Sequence, residues 1–163
     1  RHALDAIRLI ADEAPEIIVG AGTVRNALQF QEAAAAGSRF VVSPGVTQEL
    51  IDAANLSNMP FLPGVATPSE AMAMIEEGLT MMKFFPAGPA GGASYLKSLA
   101  SPLPNAMFCP TGGVSLENAE SYLSLPNVVC VGGSWVAPAK LVEERDWQAI
   151  EQLAADAARL RRA

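Results

Sequence analysis

Hydrophobic residues along the chain gather into six short, dense runs. They begin near Ile17 (IIVGAGT), Phe40 (FVVSPG), Phe61 (FLPGVA), Met81 (MMKFFPA), Phe108 (FCPTGG) and Val128 (VVCVGGS), with successive starts twenty-odd residues apart. Each run is nearly continuous in apolar residues, the pattern of a strand covered on both faces in a parallel sheet. Between the runs the pattern turns helical. Residues 26–36 are rich in alanine, with Leu28 and Phe30 among them. Thr67-Pro68-Ser69-Glu70 predicts a helix start, with Thr67 as cap, Pro68 in the first turn and Glu70 reaching back. Ser115 is an N-cap candidate ahead of 116–123, a long final helix is expected over 143–162, and the chain opens on a helical stretch at 2–11.

Strands alternating with helices at this period predict an α/β fold of right-handed βαβ units. Every run carries Gly, Pro, Ser or Thr near its end, and in such folds ligands bind at the carboxyl ends of the strands. Near-equal spacing without a long crossover favours a closed (β/α)8 TIM barrel over an open doubly wound sheet. Six runs are two short of eight, and an open barrel would expose two unpaired edges. The expectation is therefore that residues 1–163 form a single partial TIM-barrel domain, with the first two βα units lying upstream.

Composition narrows the partners. Half of the 163 residues are hydrophobic and 17% are charged, against about 25% in an average soluble domain, so the chain should fold and bury well. A net charge of −6 leaves no basic stripe for a polyanion and excludes nucleic acid as a partner. No apolar stretch approaches the roughly 20 residues of a membrane span. Cys109 and Cys130 lie in apolar runs without CxxC spacing, and both read as buried, reduced thiols of a cytoplasmic protein.

Of the three lysines, Lys97 lies in a helical stretch and Lys140 among polar neighbours, so both should be solvated. Lys83 sits in a strand-like run with no other charge. It is either an edge lysine snorkelling to water or a lysine aimed into the barrel, where desolvation would free an amine for attack on a ketone. Thr111-Gly112-Gly113 and Gly132-Gly133-Ser134 end the last two runs, the usual phosphate place of such barrels. Glycines let backbone N–H groups approach phosphate, and Ser134 adds a hydroxyl. All seventeen carboxylates fall outside the runs, and His2 is the one histidine. No metal-ligand cluster, Ser-His-Asp set or general base is evident, so neither metal nor cofactor is expected.

The blocks 19–24 (VGAGTV), 43–45 (SPG), 83–87 (KFFPA), 110–114 (PTGGV) and 131–135 (VGGSW) occur in this order. Together they resemble the bacterial 2-keto-3-deoxy-6-phosphogluconate (KDPG) aldolases, class I enzymes of the Entner–Doudoroff pathway, across nearly the whole chain. The resemblance implies a cytoplasmic homotrimer of (β/α)8 barrels that splits a phosphorylated keto-acid into pyruvate and glyceraldehyde 3-phosphate without metal. Lys83 matches the family's Schiff-base lysine. Thr23 and Thr111 match residues around the pyruvyl group, Pro44 and Phe85 match pocket walls, and Gly112, Gly113 and Ser134 match the phosphate site, beside which Gly132 lies. The family's catalytic glutamate and pyruvate-binding arginine would come from a segment preceding Arg1, and no residue of this chain is assigned to either role. The other readings are a sister aldolase for the galactonate epimer or 4-hydroxy-2-oxoglutarate, a phosphate-binding isomerase or epimerase of the same fold, and an inactive incomplete barrel.

Overall fold

The computed structural model describes residues 2–160. Helix α1 spans Ala3–Glu13 and is followed by strand β1 (Gly20–Ala21), α2 (Ala27–Ala35), β2 (Phe40–Val42) and α3 (Gln48–Ser57). The third run is split into β3 (Phe61–Leu62) and β4 (Gly64–Val65) by Pro63, which has no N–H to give to a ladder. Helix α4 (Pro68–Glu76), β5 (Met81–Phe84), α5 (Gly92–Leu99), β6 (Met107–Pro110) and α6 (Ala119–Leu123) complete the alternation.

All pairings are parallel, in the orders β1-β2-β3 and β4-β5-β6. The Gly64 N–H finds the buried Ser43 hydroxyl at 3.4 Å, and the Lys83 N–H donates to the Pro63 carbonyl at 2.8 Å. The wall thus runs in chain order through the Pro63 break. A doubly wound sheet would reverse its strand order at a switch point, whereas a barrel wall adds strands in sequence.

The sixth run departs from its expected form. The segment after Val128 builds no regular strand and touches β6 only through the bridges Phe108↔Val128 and Thr111↔Gly132. Three steps on one side face four on the other, so an extra residue interrupts the ladder as in a bulge. Among the described residues, no pairing joins this segment to β1.

Helices cover the outer face. Phe30, Val41, Leu50 and Phe61 form one buried cluster, and Met82, Phe84, Leu96, Phe108 and Tyr122 belong to another. Phe84 stacks on Tyr95 of α5 at 5.6 Å and meets Phe108 edge-on at 6.3 Å. Truncating a ring so placed to alanine costs about 3–5 kcal/mol.

The local helix signals fare unevenly. Thr67 and Glu70 make the full capping box at α4, and Asn26 caps α2 by accepting from Gln29 N–H. At α6 the cap position is Asn118, not Ser115. The Asn118 carboxamide accepts from the Ser115 N–H at 2.9 Å, which holds 115–118 as a turn and delays the helix. The expected single helix over 143–162 is instead α7 (Ala139–Glu144) and α8 (Trp147–Ala158), parted where Arg145 turns left-handed (φ 57°) and Asp146 caps α8 through Ala149 N–H. The end of that expected helix, at 161–162, lies outside the described residues.

Candidate active site

Strand alternation decides where Lys83 points. Met82 and Phe84 are 0% and 1% exposed against the helices, so Lys83, between them, faces the opposite side, the inside of the wall. Its register partners are Gly64 on β4 and Cys109 on β6. Neither is larger than a thiol, which leaves room around the ammonium. A Cβ on Gly64 would overlap the Pro44 backbone, so only glycine lets the loop after β2 close over the wall here.

Lys83 is half-buried. Desolvation lowers its pKa from the ordinary lysine value of 10.5, and the neighbouring Cys109 partly opposes that shift. The ion pairs formed among the described residues are Arg8–Asp5, Lys140–Glu144 and Arg159–Asp156, all on exposed helices, so Lys83 has no carboxylate partner there. Its Nζ instead stands 4.4 Å from the centroid of the Phe85 ring. The ammonium thus lies on the inner face of the wall, beside an aromatic ring. Lys97 and Lys140 are exposed, as expected.

Phe85 also touches the glycine loop. A Cβ on Gly112 would meet the Phe85 ring at 3.0 Å, and Gly112 and Gly113 are both left-handed, at φ 85° and 82°. Gly88 packs against Gly113, and the Ala87 and Gly88 N–H groups donate to the Thr111 and Gly112 carbonyls at 2.8 Å. Asn118 staples the far side through its amide, which donates to the Gly113 carbonyl at 2.9 Å. The two glycine clusters are adjacent: Gly132 faces Thr111, and Gly133 sits beside the Val114 carbonyl. The Thr111 hydroxyl is buried and has no hydrogen-bond partner among the described residues. Ser134 is exposed at the start of a short 3-10 helix, Ser134–Val136.

Thr23 and Pro44 follow the carboxyl ends of β1 and β2, on the same rim as Lys83. Thr23 is left-handed at φ 62°. A β-branched residue adopts that conformation at a cost of about 1–3 kcal/mol, and such strain clusters at functional sites. Glu70 belongs to the cap. Burial pushes its carboxyl up, but the Ala66 and Thr67 N–H groups, at 2.7 and 2.9 Å, outweigh that and hold it below its ordinary value. Among the described residues no group of three His, Cys, Asp or Glu side chains is placed to hold a metal, and no helix is long and apolar enough to cross a membrane.

Sequence reading gave Ser43 no role beyond its place in the 43–45 block, and it missed Gly88 and Asn118, which shape the rim from loops, and the place of Cys109 beside Lys83. The asparagine three residues beyond Ser115 was the one local signal for Asn118. The expectation of two buried thiols holds for Cys109 alone, because Cys130 is exposed. Its segment carries no strand on the far side among the described residues, which leaves that side of it open.

A half-buried lysine with no carboxylate partner among the described residues, inside a parallel wall rimmed by left-handed glycines, fits the nucleophile of a class I aldolase. The family model for KDPG and KHG aldolase matches residues 1–153. The 2-dehydro-3-deoxy-phosphogluconate aldolase of Pseudoalteromonas atlantica is 50% identical over 155 residues, 95% of this chain and 72% of that protein. The KDPG aldolase of Legionella pneumophila, solved with pyruvate captured as a covalent carbinolamine, superposes with a TM-score of 0.93 at 44% identity, covering 96% of this chain and 76% of that one. The enzyme of Zymomonas mobilis ZM4, solved with 3-phosphoglycerate, also gives 0.93 at 44% identity, covering 99% and 76%. This chain belongs to the KDPG and KHG aldolase family.

Proposed function

We propose that the chain cleaves 2-keto-3-deoxy-6-phosphogluconate to pyruvate and glyceraldehyde 3-phosphate through a Schiff base on Lys83. The observation that carries the reading is the setting of Lys83: half-buried on the inner face, without a carboxylate partner, its pKa lowered by burial. The free amine adds to the substrate ketone, and the carbinolamine loses water to give an imine. Breaking the bond between the third and fourth carbons sends its electron pair into the imine, forming an enamine. The hydroxyl on the fourth carbon gives up its proton as that carbon leaves as the aldehyde. Protonation of the enamine and hydrolysis then release pyruvate and free Lys83. None of the described carboxylates stands on a strand, so the proton transfers fall to water or to the glutamate that the family resemblance places ahead of Arg1.

The other roles follow the rim. Phe85 and Pro44 wall the pyruvyl pocket, and Thr23 and Thr111 offer hydroxyls to the pyruvyl carboxylate. Gly112, Gly113, Gly132 and Ser134 cradle the phosphate. Residues 1–163 act as a single domain contributing six of the eight βα units of a closed barrel. The assembly is a cytoplasmic homotrimer, and exposed apolar side chains such as Leu28, Leu56 and Ile18 supply surface that a subunit contact would cover. Because the family model spans KDPG and KHG aldolases, 4-hydroxy-2-oxoglutarate is the second substrate to test. Pyruvate release from each keto-acid, followed by coupled oxidation of NADH, tests the reading. Release that Lys83→Arg abolishes supports it, and release that survives this change overturns it.

A further inference from the structure

The chain carries only two cysteines, and the fold brings them together although twenty-one positions separate them. Cys109 pairs in register with Lys83 on the inner wall, and its neighbours Phe108 and Thr111 are bridged to Val128 and Gly132. Cys130 lies inside the stretch that holds the extra residue, opposite Cys109. The bridges on either side of Cys109 hold the two segments near the strand spacing of about 4.8 Å, within the roughly 4.4–6.8 Å between Cα atoms that a disulfide requires.

The two thiols already interact. The hydrogen bond to Cys130, with burial, pushes Cys109 up and keeps its proton. The same bond lowers Cys130 to about 7, against the partial desolvation of its sulfur. Cys130 is therefore the more readily ionised of the two and Cys109 the one that keeps its proton, the pairing of an attacking and a resolving cysteine. Cys130 is also exposed, and it lines a cavity of about 380 Å³ with Gly132, Gly133 and Trp135. An oxidant reaches it from solvent.

We propose that Cys109 and Cys130 form a thiol–disulfide site that hydroperoxides close, and that closing it switches off carbonyl capture at Lys83. The Cys130 thiolate attacks the peroxide oxygen to give a sulfenic acid, and hydroxide leaves and is protonated to water. The Cys109 thiol then attacks the sulfenic sulfur, forming the disulfide and releasing a second water. Two thiols are oxidised and one peroxide is reduced. The disulfide draws the Cys109 sulfur from beside Lys83 and ties together the strand ends that carry Thr111 and Gly132. The effect on Lys83 rests on the aldolase reading; the disulfide itself does not.

The test treats the protein with hydrogen peroxide, alkylates free thiols and digests it with a glutamate-specific protease, since Glu117 and Glu120 lie between the two cysteines. The expected result is one linked pair of peptides. Pyruvate trapping by borohydride should also fall by roughly tenfold or more, the scale of a small misplacement at a reacting centre, and return with dithiothreitol. Cys130→Ser should keep its trapping under peroxide. Two alkylated cysteines after treatment, sulfinic acid at Cys130 without linkage, or a linked protein that traps as before would each overturn the proposal. Linked peptides from a protein that traps nothing even before treatment would instead overturn the aldolase reading.

Discussion

The Lys83 ammonium stands 4.4 Å from the centre of the Phe85 ring, and the same ring lies against the left-handed Gly112. One side chain thereby fixes the amine relative to the glycine loop. A cation–π contact of this kind contributes about 0.5–2 kcal/mol. Phe85→Leu keeps the bulk and removes the contact, so imine formation with pyruvate should slow by roughly tenfold, equivalent to about 1.4 kcal/mol. Circular dichroism should show the fold unchanged. An unaltered rate would mean that the ring does not position the amine.

Burial of Lys83 has a cost that pH reveals. Its folded pKa lies below the ordinary 10.5, so between the two values the unfolded chain binds more protons and stability rises with pH. Below the folded pKa the penalty of burying the charge is present in full. Lys83→Met should therefore raise the melting temperature at pH 7 while abolishing imine formation, and its advantage should shrink as pH climbs toward 10.5. A lower melting temperature for Lys83→Met at pH 7 would contradict the desolvation argument. In the unaltered protein, imine formation should accelerate with pH around a midpoint below 10.5.

The phosphate reading turns on Ser134 and its glycine neighbours. Losing one hydrogen bond to a charged group costs about 1.5 kcal/mol, so Ser134→Ala should raise KM for the phosphorylated keto-acid roughly tenfold. The unphosphorylated analogue should change little. Equal changes for both substrates would place the phosphate elsewhere on the rim.

What the sequence disclosed was what is decided locally. The Thr67–Glu70 capping box closes within four residues and needs no partner from elsewhere in the chain. Lys83 stood out because its run carries no other charge, and strand alternation alone turns it from the helices. What depends on register between distant strands was hidden. Cys130 looked buried because its run is apolar, yet the extra residue before Gly132 and the unpaired far side expose it. Ser115 and Asn118 compete for the same turn, and their spacing does not say which caps the helix. Thr23 was found through the family motif alone, since nothing about a β-branched residue announces a left-handed backbone.

The central claim is that Lys83 is the nucleophile, and reductive trapping tests it most directly. The protein is incubated with pyruvate and borohydride, digested, and its lysine-containing peptides are weighed. A single adduct on Lys83, with Lys97 and Lys140 unmodified, is the predicted result. An adduct on either of the other two lysines, with Lys83 free, would contradict it.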